Sequence, residues 1–122
     1  MRVAIISPWK VRCGIFTYTE NLVNALAELG VESYVIRLPR FGVKTAEILE
    51  GVVESIPIDK VDLIHIQHEY GLYVNLEGGF YGSLKQLGKP VITTLHAVGN
   101  WDVDAVIASA SDRVIVHNRY CA

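Results

Sequence analysis

The chain has 122 residues, of which 51% are hydrophobic and 20% charged, and a formal net charge of −2. That is enough for one self-covering core, and the hydrophobic content suits a parallel sheet covered on both faces, so a single domain is expected. The 11 Lys and Arg are scattered with no basic stripe, which argues against nucleic acid, and no apolar run approaches the ~20 residues of a membrane span, so a cytoplasmic chain is expected.

In chain order, residues 2–7 (RVAIIS) form a β-branched run stopped by Pro8, which predicts the first strand. After a loop to Gly14, Tyr18, Leu22, Leu26 and Leu29 fall near helical spacing. Thr17 with Glu20 spells a capping box, and Gly30 supplies the stop. The next predicted units are strand 32–37 (ESYVIR), helix 45–56 with Ile48, Val52 and Ile56 on one stripe and Pro57 closing it, and strand 61–66 (VDLIHI). Helix 79–87 ends at Gly88-Lys89-Pro90. Strand 91–95 (VITTL), a short helix opened by Asp102, and strand 113–116 (RVIV) complete the pattern.

Strands joined by helical crossovers run parallel, so the predicted fold is an α/β, Rossmann-like doubly wound sheet. Ligands of such sheets bind beyond the carboxyl ends of the strands. If the order reverses beside the first strand, the loops starting at Pro8, Gln67 and His96 share one crevice.

The first loop, PWKVRCGIFTYTE, carries one glycine at a helix entrance, where free N–H groups and the dipole favour an anion. Gly14 either makes only a tight turn or receives such an anion, and Lys10 and Arg12 weigh toward the second. The loop has neither the three glycines of a dinucleotide fingerprint nor the G-K-S/T of a P-loop. In HIQHEYG, His65 sits inside a strand and reads as structural, whereas His68 and Glu69 fall just past the strand end. His96 opens the third loop. Cys13 and Cys121 have no metal or redox spacing and read as free thiols. The histidines form no zinc set, no G-x-S-x-G elbow is present, and Asp102-Val103-Asp104 reads as a helix cap rather than a metal motif.

Taken together, RCGIFTYTENLVNAL, HIQHEYGLY, KPVITTLHAV and SDRVIVHN resemble the N-terminal domain of family 4 glycosyltransferases, closest to mannosyltransferase-like members. The resemblance covers nearly the whole chain. It implies the N-terminal, acceptor-side half of a two-domain GT-B enzyme spanning 1–122, a retaining transferase moving a hexose such as mannose from a nucleotide-sugar to a glycan, lipid or small-molecule acceptor. Gly14 would present its backbone N–H to the donor diphosphate, and His96 would act beside the transferred sugar. His68, Glu69 and Tyr70 would line the sugar or acceptor site, and Lys10 and Arg12 would meet an acceptor phosphate. The nucleotide-sugar is a co-substrate, and neither a cofactor nor a metal is expected.

The connection from His96 to the last strand is shorter than the family pattern, and the sequence stops at Cys121-Ala122, where the family continues into a donor-binding domain. The isolated chain is therefore expected to be inactive until a C-terminal donor domain is supplied in cis or in trans, and to self-associate through an uncovered face. The alternative is a non-catalytic Rossmann-like binding or assembly module. A further reading is an unrelated Rossmann-like regulator that binds a small anion at Gly14.

Overall fold

The computed structural model describes residues 1–39 and 45–117; Cys121 and Asn118 lie outside them. The described elements are β1 (Arg2–Ser7), α1 (Gly14–Glu28), β2 (Glu32–Arg37), α2 (Ala46–Glu54), a 3-10 turn at Ile58–Lys60, β3 (Leu63–His68), α3 (Tyr70–Tyr73), α4 (Glu77–Lys85), β4 (Val91–Leu95), α5 (Trp101–Ala110) and β5 (Arg113–Val116). All five strands are parallel, in the order β2-β1-β3-β4-β5. The fold is thus the expected α/β, Rossmann-like arrangement, and β3 is the strand beside β1.

Alternation along β3 divides the molecule into two layers. Ile64 and Ile66 join Ala4, Ile6, Leu49, Val53, Phe80 and Leu84 in the main core. That core lies under α2, α4 and α5. The intervening positions His65 and Gln67 lie on the opposite face, and so do their register partners Ile92 and Thr94 on β4. This is the face on which α1 packs, fixed by the 2.8 Å bond between the Ser7 and Thr19 hydroxyls. The α2–α4 layer is mainly apolar, with Thr93 and the His68–Glu77 pair buried in it, and the α1 layer carries a buried polar row.

Helix α1 ends as its glycine dictates. Gly30 takes φ +78, Val31 N–H donates to Leu26 O at 2.9 Å and Gly30 N–H to Ala27 O at 3.0 Å, the paired bonds of a Schellman stop. Its start corrects the expected capping box. The N-cap is Cys13, whose Sγ accepts from Phe16 N–H at 3.4 Å, and Thr17 lies inside the helix, where its hydroxyl donates to Cys13 O.

Other elements also differ from expectation: α4 runs Glu77–Lys85 rather than 79–87, and α3 was not expected. Of the stripe expected on α2, Val52 and Ile56 are buried as expected, while Ile48 is exposed and Leu49 and Val53 face the core with them. Strand β3 begins and ends two residues later than expected: Asp62 ahead of it accepts the Arg2 N–H at 2.7 Å, and Gln67 and His68 at its end pair with Thr94 and Leu95 of β4. Helix α5 is capped by Asn100, whose Oδ1 accepts from Val103 N–H, so Asp102 belongs to the first turn and does not cap it.

Candidate functional site

Because every strand is parallel, the loops leaving β1, β3 and β4 emerge at one edge. Gly14 and His96 therefore share that edge, linked through Tyr18: its ring meets the His96 ring edge-on at 4.9 Å and that of His117 at 5.3 Å. The order reverses between β1 and β3, where an open sheet forms its crevice.

At this edge the polar row ends in a hydrogen-bonded chain. His96 Nε2 lies 2.7 Å from Gln67 Oε1 and donates to it, and His117 Nε2 lies 3.0 Å from His96 Nδ1. With its one proton on Nε2, the His96 ring accepts at Nδ1, so His117 donates. Burial, reinforced by the neighbouring His117, pushes His96 down to about 4, so the ring is neutral near pH 7. One step deeper, His65 Nε2 meets the Thr94 hydroxyl at 2.8 Å, and burial holds His65 at about 4 as well. His65 is structural, as its place in the strand suggested.

Sequence reasoning places Gln67 at the start of a crevice loop but gives its side chain no role. It is fully buried, its Oε1 is taken by His96, and its Nε2 has no hydrogen-bond partner among the described residues. A buried amide N–H₂ without an acceptor costs roughly 1–3 kcal/mol, so its retention beside a crevice calls for a reason. The available signal was alternation: Leu63, His65 and Gln67 share a face, and that face runs to the carboxyl edge.

The remaining predicted residues are distributed differently. Gly14 opens α1 with space above it, since a Cβ there would meet nothing within 4 Å. Lys10 and Arg12 are exposed on the same loop, Lys10 in the left-handed region at φ 54. His68 is corrected: it is the last residue of β3, fully buried, and its Nε2 donates to Glu77 Oε2 at 3.0 Å while its ring stacks on Tyr73 at 5.0 Å. Burial lowers its pKa against the opposing pull of Glu77. His68 thus presents no surface to the crevice. Glu69 turns back to accept the Gly71 N–H at 2.9 Å, and the Tyr70 hydroxyl donates to Asp104 and accepts from Asn100 N–H. His68 ties the end of β3 to α4, Glu69 braces the segment between them, and Tyr70 fastens that segment to the start of α5.

Among the described residues, no group of three or more His, Cys, Asp or Glu is placed to hold a metal, and no helix is long and apolar enough to cross a membrane. A cavity of about 320 Å³ lies away from the crevice between α2 and α4, lined by residues such as Leu49, Val53 and Phe80, and one of about 370 Å³ lies between α5 and β5, reaching Leu95 and Val98. Neither reaches Gln67 or His96.

No protein-family model and no curated protein matches this sequence. Among solved structures, the chain is similar to a two-component response regulator from Clostridium difficile, with a TM-score of 0.53 and 16% identity over 94% of this chain and 81% of that one. At that identity the likeness shows the fold alone.

The comparisons correct the expected function and its mannosyltransferase-like description. The structural neighbour is a regulator, in which this arrangement makes up most of the chain, and no sequence match supports a sugar transferase. An α/β unit of this kind hosts many activities, so its strand order does not mark half of a hexosyltransferase. The function has to be sought in the site itself.

Proposed function

We propose that this chain is a small-molecule-binding α/β domain whose ligand lies across the carboxyl ends of β1, β3 and β4. The observation that carries the reading is Gln67: a fully buried amide, oriented by His96 through its oxygen, whose nitrogen has no acceptor among the described residues. A bound ligand oxygen supplies the missing acceptor and offsets the cost of burying the amide.

The same edge favours a ligand that also carries a negative charge. At the entrance of α1 the Gly14 and Ile15 N–H groups have no acceptor among the described residues, and the positive end of the helix dipole opens beside them. Lys10 and Arg12 add two exposed cations to the loop. A neutral His96 contributes no charge, and its role is to hold Gln67. The ligand class is therefore a hydroxylated small anion, recognised by donors.

Isothermal titration with glycerol 3-phosphate, which combines a phosphate with hydroxyl oxygens, tests the reading. The wild-type chain should bind saturably at one site, and Gln67→Leu should weaken binding by about tenfold, the loss of one or two hydrogen bonds to a ligand. Binding that is unchanged in Gln67→Leu, or absent from the folded wild-type chain, contradicts it.

A further inference from the structure

The order β2-β1-β3-β4-β5 leaves two strands at the outer margins of the sheet, and the two are built differently. β2 carries exposed charges at both ends, Glu32 and Arg37, and its middle residues are partly or fully covered. β5 reads Arg113-Val114-Ile115-Val116, its first three residues are exposed, and no strand lies beyond it among the described residues. Marginal strands of monomers are blunted by lysine, proline or a covering element, so a bare β-branched strand calls for a partner. We propose that β5 is the interface of a homodimer, pairing antiparallel with β5 of a second copy across a two-fold axis at Ile115. The two five-stranded sheets then continue as one. The proposal does not rest on the anion reading, because it concerns the side of the sheet and not the carboxyl ends of its strands.

The backbone sets the register. Asp112 N–H donates to Val91 O of β4 at 2.7 Å. Alternation along a parallel strand then turns the backbone groups of Val114 and Val116 toward β4 as well, and those of Arg113 and Ile115 outward. An antiparallel partner centred on Ile115 answers both: Ile115 exchanges N–H and C=O bonds with its own counterpart, and Arg113 does so with His117 of the other copy. The same register sets Val114 against Val116. Centring on Val114 instead sets Val116 against the Asp112 carboxylate, which is the poorer match.

Charge and area make a second copy the occupant. The chain has a net charge of −2, so two copies repel weakly. Arg113 is the only charged residue of β5. Antiparallel pairing keeps the two Arg113 four residues apart, about 13 Å at ~3.3 Å per residue and beyond the Debye length of about 8–10 Å, whereas parallel pairing sets them side by side. Val114 and Val116 also line the cavity of about 370 Å³ with Trp101 of α5, which is 84% exposed. Trp101 offers about 150–200 Å² for burial, and with Val98, Val114, Ile115 and the strand backbone the patch approaches the ~600 Å² per copy at the lower end of stable pairs. A dimer of micromolar affinity is expected.

Sedimentation velocity on the full untagged chain across the micromolar range should show a reversible monomer–dimer equilibrium. Ile115→Lys places two lysines at the axis from an exposed position and should weaken the dimer by about tenfold or more. Trp101→Ala should weaken it by about tenfold. Leu29→Ala, equally exposed but at the end of α1, should leave it unchanged. Hydrogen exchange on the wild type reads the pairing without any variant: the Ile115 amide should be unprotected in dilute solution and protected in concentrated solution, with Val114 protected in both. A folded wild type that stays monomeric, or a dimer unaffected by Ile115→Lys, overturns the proposal. So does equal weakening by Leu29→Ala, which marks unspecific apolar association, or an Ile115 amide already protected in dilute solution, which shows the chain covering its own margin.

Discussion

Acidification should destabilise this fold through the polar row beneath α1, and His65 allows the size of the effect to be worked out. Its side chain is 8% exposed, and burial lowers its pKa from 6.5 to about 4. Between those values the unfolded chain binds a proton that the folded chain refuses, so stability is complete above pH 6.5 and declines as the pH falls toward 4. A difference of this size corresponds to about 3 kcal/mol lost by pH 4 from this one residue. His96 and His68 are shifted in the same direction by burial and add to the slope. Urea unfolding at pH 7, 5.5 and 4.5 should show the decline in the wild type. In His65→Gln, which keeps a partner for Thr94 but cannot titrate, the decline should be smaller by about 2–3 kcal/mol across the same range. Parallel pH profiles for the two proteins would show that His65 is not buried as a neutral ring and would refute the reasoning.

Other changes probe separate parts of the structure. Gln67→Glu puts a carboxylate against His96 Nε2 and should raise the His96 pKa from about 4 by about 1–3 units, read by NMR titration of its ring protons; a shift below half a unit contradicts the bond. Val74 is a β-branched residue in the left-handed region at φ 44 and 51% exposed, so Val74→Gly should stabilise the chain by about 1 kcal/mol in urea unfolding, and a loss would show that the valine packs. Leu49→Ala should cost about 2–5 kcal/mol and Ile48→Ala under about 1, because only the first side chain is in the core; the reverse order would restore the stripe expected from sequence.

The fold was readable wherever a local signal and the tertiary environment agreed. Arg2–Ser7, Glu32–Arg37, Val91–Leu95 and Arg113–Val116 are strands at the bounds their β-branched runs suggested, and Gly30 ends α1 as its freedom at positive φ requires. Signals that depended on a partner elsewhere in the chain misled. Thr17 and Glu20 spell a capping box, yet the turn at Val11–Cys13 starts the helix four residues earlier. His68 looked like a loop residue because its partner, Glu77, lies nine positions away on α4. Gln67 was placed at the start of a crevice loop but given no role, and only the register against Thr94 and the bond to His96 show it buried at the strand end. The resemblance drawn from the motifs agreed with the α/β fold, while the function attached to it was overturned by the comparisons.

The central claim is that the Gln67 side-chain amide is the donor awaiting a ligand. Its nitrogen-15 and proton resonances, assigned by their loss in Gln67→Leu, should be followed as glycerol 3-phosphate is added to the wild-type chain. A saturable downfield shift of one Gln67 amide proton, with a smaller shift at the His96 ring, is the predicted result. Amide resonances of Gln67 that stay fixed while the ligand saturates another part of the chain would contradict the account.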